Sequence, residues 1–401
     1  MPFDAGVLLW LLLPLAAASG WAVARLDQRR RAAKSGFELP AAYFRGLNFL
    51  LNEQQDKAIE VFVKAFEVDS GTVETHLALG NLFRRRGEVE RAIRIHQNLI
   101  ARPNLDKQQR SYALLELGQD YLKAGLLDRA ESLFVELAEI RVHTEQALRF
   151  LVHIYQQERE WDKAIAASRR LARVADKDQD TVIAQYHCEL ADLAATERSY
   201  AKARKHLNEA LAADRRCVRA SMLLGRIEAI EGRHREAIRA WQRIEEQDPH
   251  FLGEAAPGIA ESYRRLDDER GLFEYFNAAL ARHHSVAVML ALADIVQSRD
   301  GVQAAEDFVA DWLRRNPSVH GLHRLLLLNI AEAKGGSRDD LVLLRGIIEK
   351  LMAQHQGYIC LECGFRGKSL YWQCPSCHRW STVMPLADTE AELGRGRQRE
   401  H

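Results

Sequence analysis

Residues 113–134 read ALLELGQDYLKAGLLDRAESLF. Gly118 is followed three positions later by Tyr121 and twelve positions later by Ala130, with Gly125 between them and Phe134 beyond. Two helical stretches flank Gly125, the strongest breaker in the segment. A small residue at 118 lets two antiparallel helices approach closely, and the aromatics fill space beside it. The same spacing recurs upstream as Gly80, Phe83, Gly87 and Ala92, and downstream as Gly225, Gly232, Ala237, Trp241 and Pro249. Ala293, Ala305 and Pro317 mark a weaker late copy.

One interval recurs between copies. Gly46 and Gly80 lie 34 residues apart, as do Ala58 and Ala92, Ala130 and Ala164, and Ala203 and Ala237. Thirty-four residues is the tetratricopeptide period, in which each helical hairpin leaves an apolar face that the next one covers. The chain is therefore expected to be all-α: a tetratricopeptide-repeat superhelical solenoid of about eight repeats over residues 40–354. Insertions of four or five residues are expected near Asn104 and Asp176. In such a repeat the first helix of each hairpin lines a groove. The period places Asn81, Arg84 and Arg85 there, then Gln119 and Lys123, Arg149 and His153, and Arg219 and Arg226. That basic and polar set suits an acidic or extended protein segment.

Beyond the repeats the pattern changes. Cys360-Leu361-Glu362-Cys363 and Cys374-Pro375-Ser376-Cys377 form two Cys-x-x-Cys knuckles within residues 355–386. Four thiolates at this spacing select one zinc or iron ion and leave no open coordination position, which makes the site structural rather than hydrolytic. A segment of this size buries little core, so the metal supplies much of its folding free energy. Tyr358, Phe365, Tyr371, Trp372 and Trp380 crowd the knuckles. A helical run from Leu341 to Met352 ends just before Tyr358, so these rings are expected to pack the ribbon against the last repeats as a clamp. Cys188 and Cys217 stand apart in helical stretches and read as buried apolar residues. His76, His96 and the pair His283-His284 read as ordinary helix residues.

At the other end, Ala5 to Ala24 is an uncharged run, AGVLLWLLLPLAAASGWAVA. Its length matches the hydrocarbon thickness of a bilayer. Asp4 precedes it, while Arg25, Arg29, Arg30, Arg31 and Lys34 follow. That asymmetry favours a transmembrane anchor (residues 1–24) over a cleaved signal and places the N-terminus outside and the rest in the cytoplasm. A cytoplasmic body is reducing, so the knuckle thiols stay available for metal. Residues 25–39 form a basic linker at the membrane surface. Residues 387–401 are polar and charged, a tail with the composition of a disordered segment. The chain has 56 Lys plus Arg against 56 Asp plus Glu, so no global basic field favours nucleic acid. No nucleophilic triad, open metal site, HExxH or phosphate-cradling loop is present, and no enzymatic activity is expected.

Anchor, repeat array and terminal CLECGF…LYWQCPSCHRWST, in that order, resemble the lipopolysaccharide assembly protein B (LapB) family of Gram-negative bacteria over nearly the whole chain. The resemblance implies a single-pass inner-membrane protein facing the cytoplasm, with a rubredoxin-like metal domain held by Cys360, Cys363, Cys374 and Cys377. It implies an adaptor for the AAA+ metalloprotease FtsH that promotes degradation of the deacetylase committing precursor to lipid A (LpxC). It further implies control by a regulatory inner-membrane protein and coordination with lipopolysaccharide export. Homodimerisation is left open. The competing readings are a rubredoxin-like redox carrier on a repeat scaffold and a nucleic-acid-binding zinc ribbon using Arg366, Lys368 and Arg379. Removing residues 1–24 is expected to release a soluble, folded, metal-bearing array that fails to complement loss of the full-length protein. Fractionation, metal analysis and a complementation assay check this.

Overall fold

The computed structural model describes residues 73–332, 336–354 and 357–386, with scattered positions between 44 and 61. The apolar run at Ala5–Ala24, the basic linker and the tail lie outside the described residues. Among the described residues no helix is long and apolar enough to cross a membrane. The chain divides into two compact units, Met1–His143 and Thr144–His401.

In the first unit, α1 (Val73–Arg86) pairs with α2 (Val89–Ile100), and α3 (Lys107–Lys123) pairs with α4 (Leu127–Glu139). In the second unit the hairpins are α5 (Thr144–Gln157) with α6 (Trp161–Ala175), α7 (Asp180–Thr196) with α8 (Tyr200–Ala213), and α9 (Val218–Ile230) with α10 (His234–Gln247). A 3₁₀ turn, Pro249–Phe251, then leads into α11 (Leu252–Arg265), which precedes α12 (Glu269–His283). α13 (Val286–Asp300) pairs with α14 (Val302–Arg315), and α15 (Val319–Glu332) with α16 (Gly336–Gln354). Within the second unit α7 touches α9, α9 touches α11, α11 touches α13 and α13 touches α15, so first helix stacks on first helix. In the first unit α1 touches α3 in the same way.

The turn inside each hairpin shows the period directly. Left-handed or positive-φ residues fall at Gly87, Gly125, Arg159, Arg198, Gly232, Asp267 and Gly301. Most steps are 34 or 35 residues, and the two from Gly87 to Gly125 and from Arg159 to Arg198 are longer by four or five. The extra residues sit where insertions were expected. Around Asn104 they let Asp106 cap α3: its carboxylate accepts from the Gln109 amide at 2.7 Å, while Gln109 accepts in return from the Asp106 amide. Around Asp176 they end α6 in a left-handed cap.

Close helix approach follows from the small residues. A Cβ on Gly80 would lie 2.3 Å from the His96 ring, and one on Gly118 would lie 2.6 Å from Phe134. Trp241 is wedged twice, with a Gly225 Cβ falling 2.4 Å from its ring and a Gly258 Cβ 2.7 Å. Each aromatic therefore packs first on its own hairpin, and Trp241 also reaches the next one. Gly225→Val is expected to lower unfolding free energy by about 2–3 kcal/mol through overpacking. Gly346→Ala on α16, where a Cβ meets nothing within 4 Å, is expected to raise it by up to about 1 kcal/mol through helix propensity. Urea midpoints moving in opposite directions would bear this out.

Candidate metal centre

After α16 the chain forms β1 (Tyr358–Cys360), β2 (Arg366–Gly367) and β3 (Val383–Pro385) in an antiparallel sheet of order β2-β1-β3. Tyr358 faces Gly367 on one side and Pro385 on the other. The two knuckles have the same backbone. The Cys360 amide donates to the Phe365 carbonyl at 2.7 Å, and the Cys374 amide donates to that of Arg379 at 2.9 Å. The Gly364 and His378 amides donate back to the first cysteine of each knuckle, both at 2.9 Å. Both of these residues are left-handed, at φ 74° and 57°. Gly364 takes that conformation at no steric cost, whereas His378 carries a Cβ there.

This backbone converges the sulfurs. Cys360 and Cys377 Sγ are 3.8 Å apart, Cys363 and Cys374 Sγ are 3.7 Å apart, and all four lie within 4.8 Å of one another. None is disulfide-bonded. A tetrahedral ion with metal–sulfur bonds of about 2.3 Å separates its sulfurs by about 3.8 Å, so the set fits a tetrathiolate ion. Cys360 and Cys374 are buried. Burial opposes ionisation of Cys360, but its side-chain hydrogen bond with Thr382 and those from the amides of Cys363 and Glu362 bring the thiol down to about 6. Arg379 pairs with Glu362 at 2.6 Å, linking one knuckle to the other.

The ribbon does pack on the array, and among the described residues its aromatic and hydrogen-bond contacts fall on the middle repeats rather than the last ones. Trp380 meets Trp161 and Tyr186 edge-on, with centroids 6.4 and 5.9 Å apart. Trp372 stacks on Phe251 at 5.7 Å. Ser381 accepts a 2.9 Å hydrogen bond from Gln185, and the Tyr358 hydroxyl donates to Glu254 at 2.7 Å. Burial, together with the Glu254 carboxylate, pushes the Tyr358 phenol up, so it remains a donor. The contacts therefore run from α5 and α6 through α7 to the start of α11, the middle of the repeats. The reason lies in the partners on offer: Phe251, Trp161 and Tyr186 present rings that Trp372 and Trp380 can pack against there.

The expected groove residues separate into two groups. Arg84 spans α1 to α3, bonding Glu116 at 2.6 Å and the fully buried Asp120 at 2.8 Å. Arg219 is buried and bonds Glu189 at 2.8 Å and Asp192 at 2.6 Å, from α9 to α7. Those two guanidiniums stack repeats rather than face a partner. Asn81 and Gln119 are half-buried, and Arg149 pairs with Glu145 on its own helix at 2.7 Å. Arg85, Lys123, His153 and Arg226 are exposed. Arg226 lines an open cleft of about 620 Å³ between α9 and α11, shared with Trp241, Glu254 and Glu261.

Residues 358–385 match the family described as rubredoxin metal binding domain, and residues 75–110 and 188–250 match tetratricopeptide repeat families. Lipopolysaccharide assembly protein B of Escherichia coli (strain K12) is 38% identical over 380 residues, covering 94% of this chain and 98% of its own. The chain belongs to the lipopolysaccharide assembly protein B family. The Haemophilus influenzae member is 34% identical over 396 residues, covering 96% of this chain and 99% of its own. Among solved structures, Naa15/Naa10 bound to HypK-THB aligns with a TM-score of 0.43 at 13% identity, covering 78% of this chain and 46% of that one.

Two groupings escape the linear reading. Cys188 and Cys217 are buried, as expected, but their sulfurs meet at 3.8 Å across α7 and α9. Burial pushes the Cys188 thiol well up, and its hydrogen bond to Cys217 adds to this. His187, His206 and Glu209 also converge. Their one local signal is His206 and Glu209 three apart on a helix. Burial lowers the His187 pKa, with Arg169 and His206 acting in the same sense and Glu209 and Asp162 opposing. For the ribbon, Cys374→Ser is expected to abolish metal binding and leave the chain sensitive to protease between α16 and β1. Trp380→Ala is expected to give the same cleavage while retaining one metal per chain. Limited proteolysis beside metal analysis separates the two.

Proposed function

We propose that this protein is a membrane-tethered, non-enzymatic adaptor in lipopolysaccharide assembly, which presents the lipid A deacetylase to the FtsH protease. Membership of the lipopolysaccharide assembly protein B family over 94% of the chain carries the reading. The repeat array supplies protein-binding surface. The uncharged run at Ala5–Ala24 supplies the inner-membrane tether, with the array on the cytoplasmic side. Tethering raises the effective concentration of a substrate beside a membrane protease without any chemistry by the adaptor. Cys360, Cys363, Cys374 and Cys377 hold one zinc or iron ion in a closed structural role. A regulatory inner-membrane protein and export components meet the exposed first-helix residues, Arg85, Lys123, His153 and Arg226 among them.

The ribbon's docking supports this reading over nucleic-acid binding. Stacking on bases needs free aromatic faces, whereas Trp372 and Trp380 lie against Phe251, Trp161 and Tyr186. Arg379, one of three cations available for phosphate contact, is paired with Glu362. In liposomes carrying FtsH and the deacetylase, the full-length protein is expected to shorten the deacetylase half-life, and the form lacking residues 1–24 is expected to lose that effect. An unchanged half-life with the full-length protein would overturn the adaptor role.

A further inference from the structure

Among the described residues, one group of side chains besides the cysteine ribbon has the arrangement of a metal site. His187 on α7 and His206 and Glu209 on α8 each bring a ligand atom within 4.8 Å of the others. Spacing of three residues puts His206 and Glu209 on one face of α8, and His187 meets them from the other arm of the hairpin. Nδ1 of His187 lies 3.2 Å from Glu209 Oε2, and Nδ1 of His206 lies 3.3 Å from the same oxygen. The two rings are inclined at 28° to each other, with centroids 5.9 Å apart.

Hydrogen bonding does not account for this convergence. Both Nδ1 atoms are buried and have no hydrogen-bond partner despite their closeness to the carboxylate, and Nε2 of His187 is likewise unpartnered. His187 is only 5% exposed. Buried polar atoms without partners are rare and call for an explanation. A tetrahedral ion with nitrogen and oxygen ligands at about 2.0–2.1 Å holds those ligands about 3.3–3.4 Å apart. The two measured separations fall close to that edge. Two imidazoles and a carboxylate suit zinc and its first-row neighbours better than magnesium or calcium. The Glu209 side chain is 38% exposed and the His187 side chain 6%, so the site opens to solvent on the carboxylate side, where water completes the shell. Lys205, 74% exposed, approaches the other carboxylate oxygen only to 4.0 Å.

We propose that His187, His206 and Glu209 form a second divalent transition-metal site that clips α7 to α8. Gln185 and Tyr186, directly before His187, hold Ser381 and Trp380 of the ribbon. The clip therefore lies behind the ribbon's seat.

The test uses full-length protein whose cysteine site has first been filled with one equivalent of zinc. Titration with cobalt(II) is expected to show one further equivalent, with weak visible bands and no thiolate charge-transfer band. His206→Gln and Glu209→Gln are each expected to lose that further equivalent and keep the first. No further equivalent in the unsubstituted protein would overturn the site, as would its survival in both variants. Should both variants unfold by circular dichroism, X-ray absorption of the zinc-saturated unsubstituted protein decides. A nitrogen/oxygen shell at about 2.0–2.1 Å beside the sulfur shell supports the site, and a pure sulfur shell overturns it.

Discussion

The position of the ribbon depends on two tryptophans carried by one knuckle. Trp372 lies two residues before Cys374 and Trp380 three residues after Cys377, so the turn that presents two sulfurs to the metal also sets the angle between the two rings. One ring stacks on Phe251, and the other meets edge-on the pair formed by Trp161 and Tyr186, which stack on each other. Each such aromatic pair contributes about 0.5–1.5 kcal/mol beyond the area it buries. A free knuckle would spend much of that on ordering its own backbone. An ion held by the four cysteines would supply that order beforehand, which would couple metal binding to the docking of the ribbon on distant repeats.

A second interaction recurs between first helices. Arg84 reaches from α1 to Glu116 and Asp120 on α3, and Arg219 reaches from α9 to Glu189 and Asp192 on α7. In both cases a guanidinium joins the first helices of adjacent hairpins. A desolvated cation with two carboxylates permits one stacking register and penalises others, because removing one partner leaves an uncompensated charge. The Asp120 carboxylate also takes His96 at 2.5 Å, which ties the second helix of its neighbour into the same cluster.

Much of this architecture was legible in the linear chain, because repeat packing is local. The 34-residue step, the longer steps near Asn104 and Asp176 and the Cys-x-x-Cys pairs each reflect contacts made within a hairpin or a turn. The ribbon's seat left no such mark. Trp380 meets Gln156 across 224 residues, a pairing that no periodicity announces. Two members of the expected groove, Arg84 and Arg219, turn toward neighbouring repeats for a related reason. The period correctly places Arg84 and Arg219 on first helices, but it cannot tell a charge facing a partner from one facing the next repeat's carboxylates. His378 escaped because the left-handed position after the second knuckle is filled by a residue type that gives no turn signal, where Gly364 marks the first.

These constraints bear on what an array of this kind can offer a partner. Each hairpin contacts its immediate neighbours, so the shape of a solenoid is a sum of nearest-neighbour angles and small errors accumulate along it. A ribbon fixed at Gln156, Trp161 and Tyr186 on one side and at Phe251 and Glu254 on the other adds a restraint that bypasses the intervening interfaces. The hairpin of α9 and α10 lies between those two footings in the chain. The open cleft with Arg226 is formed there, and Glu254, which accepts from Tyr358, is part of its wall. A partner entering that cleft meets a wall whose position is set by the ribbon, so occupancy of the cleft and seating of the ribbon share a residue and must be energetically linked.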